Sequence, residues 1–349
     1  IIGKVESAEK HPDADKLKVC KVNDGKKIHK VVCGASNIDS GQTIAFATIG
    51  TILPGNIKIK KANIRGVESS GMICSERELR ISDEHEGIMV LPNDLVAGDD
   101  FMKSYGYKFL SIELDITPNR PDAFSHLGVA RDIACVKNRI FNPLSIKENK
   151  IDSEFEINIT MENHDDCPRY IGAVFSNIKV GPSPQWLVDR LKSVGQRSIN
   201  NIVDISNFVL MEIGHPTHIF DYDKLKNKEI HVRRAKKGET LTTLDELNHK
   251  LDTRNLLITD GKSPIALAGV MGGKESAVSS STSTILIESA YFNPVTIRKS
   301  AKSLFISTDA SKRYERGADP NGCHIGFWRV ISLLREIAGG DFISSINDF

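Results

Sequence analysis

Short apolar segments separated by turn residues fill the first hundred positions, and the pattern changes twice after that. Leu17 to Val22, Lys30 to Cys33, Thr43 to Ile49, Ile57 to Ile59, Gly71 to Cys74 and Ile88 to Leu91 are punctuated by Asp24-Gly25, Ser40-Gly41 and Pro54-Gly55. Residues 1–105 therefore predict an all-β domain of five or so short strands. A small closed barrel would remove the exposed edges of so short a sheet. In residues 106–150, Ser111 to Ile116 predicts a strand, and the two prolines of Thr117-Pro118-Asn119-Arg120-Pro121-Asp122 exclude a helix there. Asp122 or Ser125 can cap a helix carrying Leu127, Ala130, Ile133, Ala134 and Lys137 at helical spacing. The polar stretch Lys147 to Glu154 reads as a linker.

Residues 151–349 mix strands and helices. Ser183-Pro184 opens a helix through Leu187, Leu191 and Val194 that Gly195 ends. Ser198 opens a second, with Ile199, Ile202, Val203, Ser206, Val209, Leu210 and Ile213 on one face and Gly214 closing it. Residues 229–292 return to strands, with a hairpin at Asp260-Gly261 and a tight Gly272-Gly273. Three helices follow near Pro294 to Leu304, Asp309 to Arg316 and Pro320 to Ala338. The fold class expected is α+β and multidomain: a β-barrel of the oligonucleotide-binding type, a connecting strand-helix segment, and a larger mixed domain.

Composition narrows the class. The apolar fraction is 40% and the charged fraction 26%, both ordinary for globular protein. No apolar run is long enough to span a membrane, and Lys4, Glu6, Glu9 and Lys10 interrupt the start where a signal peptide would lie. The chain opens on Ile1 rather than methionine, so it reads as trimmed or incomplete. Six scattered cysteines with no C-x-x-C read as reduced, buried thiols of a cytoplasmic protein rather than a disulfide frame or zinc site. The net charge of +1 hides an asymmetry, because residues 1–70 hold twelve Lys/Arg against seven Asp/Glu.

That local excess gives the first candidate site. On a strand, Lys58 and Lys60 would share one face and Ile57 and Ile59 the other. With Lys16, Lys18, Lys26, Lys27, Lys61 and Arg65 they could track a phosphate backbone, or form an ordinary solvated face. Phe46 is the sole aromatic before Phe101, so base stacking contributes little. His215-x-x-His218 has metal-pair spacing, but Gly214 and Pro216 break the helix that such a pair needs. Glu288 lies within the apolar run Ile285 to Ala290 and needs a partner there. Either an ion pair with Arg298 or Arg313, or a ligand hydroxyl, would serve.

The segments His11-Pro12-Asp13-Ala14-Asp15-Lys16-Leu17, Val32-Cys33-Gly34-Ala35-Ser36-Asn37 and Arg65 to Met72 resemble a tRNA-binding domain shared by several synthetases. Five further motifs resemble the bacterial phenylalanyl-tRNA synthetase beta subunit, in order and spacing: Leu114 to Asp122, Val203 to Asn207, Gly214 to Asp221, Ala268 to Gly273, and Thr308 to Ser311. Phe305-Ile306-Ser307 departs from that pattern, which often has Gly, an apolar residue and Arg there, so no arginine role is carried over. The resemblance implies the N-terminal portion of such a subunit, with residues 151–349 as an editing domain that hydrolyses mischarged tyrosyl-tRNA(Phe). It implies a pocket of His218, Glu288, Gly272, Thr308, Ala310 and Asn207, with Glu288 reading the tyrosine hydroxyl. A non-catalytic tRNA-binding scaffold is the alternative. It further implies an alpha-subunit partner in a heterotetramer of two alpha and two beta chains, and no cofactor or metal in this portion. ATP and magnesium would serve the complete synthetase, outside these residues.

Overall fold

A computed structural model describes residues 1–81, 85–106, 111–148, 151 and 153–349. The chain divides into two compact units, Ile1–Leu110 and Ser111–Phe349. Among the described residues no helix is long and apolar enough to cross a membrane.

In the first unit β1 (Ile2–His11), β2 (Ala14–Asn23), β3 (Ile28–Cys33) and β4 (Thr43–Ala47) form an antiparallel sheet in the order β4-β1-β2-β3. Two small ladders follow: β5 (Ile52–Leu53) with β6 (Ile57–Lys58), and β7 (Ala62–Ile64) with β8 (Val67–Ser69). β9 (Met72–Ile73) and β10 (Val90–Leu91) both pair with β4. Ser69 and Ser70 reach the far edge of the sheet: Ser70 N–H donates to the Lys30 carbonyl (2.8 Å), and Val32 N–H to Ser69 Oγ (3.1 Å). Residues 69–73 thus link the β3 edge to β4. β1 is absent from the sequence expectation, because Lys4, Glu6, Glu9 and Lys10 dilute its apolar signal while Ile2 and Val5 carry its burial. The expected isoleucine face is half correct: Ile59 is buried, whereas Ile57 is 55% exposed.

The second unit begins differently from expectation. Ser111 to Ile116 is not a strand, since its side chains are mostly exposed and no neighbouring strand pairs with it among the described residues. Pro121–Ala123 makes one 3₁₀ turn after all, which proline tolerates at a first position. Ser125 caps α1 (His126–Val136) by accepting from the Gly128 N–H. The expected linker around Lys147 to Glu154 lies partly outside the described residues.

Beyond it the unit has three layers. A five-stranded sheet runs β11 (Asn158–Met161), β14 (Glu229–Arg234), β17 (Leu256–Thr259), β18 (Pro264–Leu267), β19 (Met271–Gly272). A second runs β13 (Thr217–Asp221), β20 (Thr284–Tyr291), β12 (Arg169–Ser176), with β21 (Asp341–Phe342) and β22 (Asn347–Asp348) both on β12. A small ladder joins β15 (Thr240–Thr242) to β16 (Asn248–Lys250). The helices are α2 (Gln185–Ser193), α3 (Asn201–Ile213), α4 (Pro294–Leu304), α5 (Asp309–Tyr314) and α6 (Gly322–Ile337).

β12 and β20 are covered on both faces, so they read as nearly continuous apolar runs. One face carries Tyr170, Val174, Leu286 and Ala290 into a core shared with the other sheet, and the opposite face packs Ile171, Phe175, Ile285 and Ile287 against α2, α3 and α6. Each fully buried Ile or Leu there contributes about 1.5–3 kcal/mol. Asn200, not Ser198, caps α3, accepting from the N–H groups of Ile202 and Val203. Ser198 and Ser183 instead donate to the buried Asp204 carboxylate (2.5 Å each), and the Ile199 N–H donates to its other oxygen (2.8 Å). Three donors on one carboxylate fold the 183–199 segment over the start of α3. All six cysteines are free, and Cys135 departs from expectation by being exposed.

Candidate functional site

Pairing register puts three residues in one row across the second sheet of the larger unit: His218 on β13 stands opposite Glu288 on β20, which stands opposite Gly172 on β12. The His218 and Glu288 side chains point to the same face, the one that Gly172 leaves open, because directly paired residues on neighbouring strands share a face. Above that row lies a cavity of about 560 Å³ walled by α3, β13, β19, β20 and the start of α5. His218, Glu288, Gly272, Thr308, Ala310 and Asn207 all line it. Residues as far apart in sequence as Asn207 and Ala310 therefore share one wall.

Glu288 is 5% exposed, and burial raises its carboxyl to about 7. Neither Arg298 nor Arg313 is its partner. Arg298 is exposed and Arg313 donates to the carbonyls of Phe124 and Asp309, whereas the Tyr170 hydroxyl donates to Glu288 Oε2 at 2.8 Å. Tyr170 is fully buried and was not a candidate on sequence grounds, because 118 positions separate it from Glu288. Only the strand pairing brings the two together.

His218 stacks edge-on against Phe220 (centroids 4.5 Å apart), and burial holds its imidazole down to about 4, so it is neutral near pH 7. Gly272 makes this placement possible: a Cβ there would lie 2.5 Å from His218 Cε1 and 2.7 Å from Nε2. Among the described residues, neither the His218 ring nor the Asn207 amide is hydrogen-bonded to protein, and Glu288 Oε1 accepts nothing. Thr308 differs. Its hydroxyl donates to the Val270 carbonyl (2.8 Å) and accepts from the Ser311 N–H (3.0 Å), so it is committed to capping α5.

His215 takes no part in the cavity. It is 2% exposed against Gly322 and Gly326 of α6, neither ring nitrogen has a hydrogen-bond partner, and burial lowers its pKa to about 4. Among the described residues no group of three or more His, Cys, Asp or Glu is placed to hold a metal ion.

In the first unit Lys58 and Lys60 line a groove of about 920 Å³, together with Arg77 and Arg80, which sequence reasoning passed over. Lys16 and Arg65 are exposed elsewhere on that unit's surface. Lys61 pairs with Glu68 (2.7 Å), and Lys18 is half-buried, its ammonium donating to the Ile38 carbonyl (2.6 Å). These last two have less to offer a ligand than their sequence positions suggested.

The profile of a putative tRNA binding domain matches residues 1–100, and that of the B3/4 domain matches residues 166–339. The phenylalanine-tRNA ligase beta subunit of Syntrophotalea carbinolica is 47% identical over 97% of this chain and 42% of its own length. That of Geobacter sulfurreducens is 48% identical over 100% of this chain and 44% of its own length. The chain thus spans less than half the length of these relatives. An N-terminal fragment of the phenylalanyl-tRNA synthetase beta subunit from Pyrococcus horikoshii aligns at 15% identity over 53% of this chain and 58% of its own, with a TM-score of 0.32. Matches at this identity over nearly the whole of this chain, with both domain profiles in order, place it in the family of phenylalanine-tRNA ligase beta subunits.

Proposed function

We propose that the larger unit hydrolyses tyrosine from mischarged tRNA(Phe), and that the smaller unit is an oligonucleotide-binding-type barrel that holds the tRNA. The reading rests on one observation: three polar groups with unused hydrogen-bonding capacity, Glu288 Oε1, the His218 imidazole and the Asn207 amide, face a single amino-acid-sized cavity.

Chemistry follows from their placement. Tyrosine exceeds phenylalanine by one hydroxyl, so a sieve based on size would destroy the correct product as well. Glu288 can accept that hydroxyl at Oε1, and phenylalanine would leave this buried oxygen without a donor. Sites that read a hydroxyl in this way discriminate by about 10⁴–10⁵. Water then attacks the ester carbonyl, the ribose oxygen leaves and takes up a proton, and tyrosine and tRNA are released. His218, neutral with a pKa of about 4, is a weak base and a good hydrogen-bond acceptor, which suits it to orienting the water rather than ionising it. Asn207 supplies a donor and an acceptor for the ester or ribose, Gly272 leaves the space, and Thr308 and Ala310 shape the wall.

In the complete synthetase an alpha subunit would carry the ATP- and magnesium-dependent charging of tRNA(Phe), with two alpha and two beta chains assembled in the cytoplasm. The test is deacylation of tyrosyl-tRNA(Phe) and phenylalanyl-tRNA(Phe) by this chain, with and without an alpha subunit. Selective loss of tyrosine is expected, with His218→Ala slowing it and Glu288→Ala abolishing the preference. Binding of both tRNAs without hydrolysis in either condition would leave a non-catalytic scaffold.

A further inference from the structure

Glu288 sits in an unusual electrostatic setting. Burial raises its carboxyl, and the opposing influence is a single neutral hydrogen bond from Tyr170. The titratable groups that face it are uncharged near pH 7: His218 across β13, Tyr170 across β12, Tyr314 on α5 and Cys167 just before β12. Burial raises the thiol and both phenols well above their ordinary values and lowers the imidazole to about 4. Asp309, the other carboxylate lining the cavity, is occupied by the Gln196 amide at 2.8 Å. No cation compensates Glu288 among the described residues, so one hydroxyl both orients it and opposes the effect of burial on its ionisation.

The backbone keeps that hydroxyl in place. Tyr170 pairs with Ala290 on β20, one pleat along the same face from the Gly172–Glu288 pair. A Cβ at Gly172 would lie 2.6 Å from Ile159 Cδ1 and 3.4 Å from Tyr170 Cε1, so the missing side chain leaves the phenol room to lie beside Glu288. Tyr314 rises near the same carboxylate, but its hydroxyl donates to the carbonyls of Pro216 and Ala290 and cannot substitute.

We propose that Tyr170 is the positioning residue for specificity: by donating to Oε2 it fixes the Glu288 carboxylate and leaves Oε1 as the acceptor for a ligand's phenolic hydroxyl. This rests on the hydrolytic reading above and adds a residue to it. Tyr170 touches no ligand. It acts through Glu288, and its removal should alter how discrimination depends on pH rather than abolish hydrolysis outright.

The experiment compares the wild-type chain with Tyr170→Phe, which deletes one oxygen. Titration of Glu288 is followed by the ¹³C shift of labelled glutamate side chains, assigned with Glu288→Gln, between about pH 5 and 9. Hydrolysis of tyrosyl- and phenylalanyl-tRNA(Phe) is measured over the same range. In Tyr170→Phe the Glu288 midpoint should rise by about one to two pH units. Tyrosyl hydrolysis should fall about tenfold near pH 7 and recover as the pH rises. An unmoved midpoint, or an unchanged tyrosyl-to-phenylalanyl ratio at every pH, would overturn the proposal. If the wild type hydrolyses neither ester, the functional reading fails, and the midpoint alone decides whether Tyr170 controls Glu288. Should Tyr170→Phe lose its near-ultraviolet circular dichroism, wild-type protein grown with 3-fluorotyrosine replaces it. The more acidic phenol should lower the midpoint, and no change would count against the proposal.

Discussion

At the scale of single residues, the pocket depends on atoms that are missing as much as on those present. Gly272 is the clearest case, because any side chain there enters the space of the His218 ring. Gly272→Ala should slow tyrosyl-tRNA hydrolysis about a hundredfold, as a misplacement of about 1 Å at a reacting centre does. The melting temperature should change little, since the glycine lies at the cavity wall. A variant with full activity would show that His218 has no fixed position to lose. Glu288 makes a second prediction through its raised carboxyl. Its folded value of about 7 exceeds the unfolded one, so the stability it contributes is complete below the unfolded pKa and is lost as pH rises through 7. His215 and His218, both held to about 4, act oppositely: their contribution is present above the unfolded pKa and is lost as pH falls towards 4. Glu288→Gln removes the first effect alone. The variant should therefore gain stability over wild type as pH rises, reaching about 3 kcal/mol above neutrality. Urea unfolding at a series of pH values would measure it, and a constant difference would contradict the assignment. Glu288 was legible in sequence as an acid stranded in an apolar strand. Tyr170 was not, because nothing local marks a tyrosine as the partner of a residue on another strand.

At the scale of elements, sequence pattern succeeded where burial is one-sided or complete and failed where pairing decides. α4 runs over Pro294–Leu304 as its proline start and apolar spacing suggest, and Gly214 ends α3 in the left-handed conformation. Ser111 to Ile116 has strand-like residues but finds no partner strand among the described residues, and β1 has a partner on each side despite its charges. Strand propensity is a statement about neighbours that one segment cannot supply. Asp204 illustrates a third kind of determinant. It is fully buried, and its carboxylate draws Ser183, Ser198 and the Ile199 N–H together, which sets Ile199 and Asn200 into the cavity wall. Asp204→Ala leaves three donors unsatisfied and should cost about 3–5 kcal/mol. The 183–199 segment should become the first site of proteolytic cleavage, with hydrolysis lost alongside. Unchanged protease resistance would mean that helix packing, not the carboxylate, holds the segment.

At the scale of the whole chain, the proposed binding and the proposed chemistry fall to different units. Every residue lining the cavity around Glu288 lies in Ser111–Phe349, and the basic groove belongs to Ile1–Leu110. Both cores of the larger unit are built from its own residues, so it has the contacts to fold by itself. If the first unit contributes through phosphate contacts, its share of affinity must depend on salt, because each neutralised phosphate releases a counterion. Lys58→Ala with Lys60→Ala should then raise the KM for tyrosyl-tRNA and leave kcat nearly unchanged. The slope of log affinity against log salt should flatten by about one to two. Lys61→Ala and Lys18→Ala serve as internal comparisons, since one lysine is paired with Glu68 and the other is tied to the Ile38 carbonyl. They should change the slope much less, although the sequence offers all four as candidates for phosphate contact. An effect on kcat from Lys58 and Lys60 would instead mean that the first unit helps to shape the hydrolytic pocket, and the division of labour between the units would have to be abandoned.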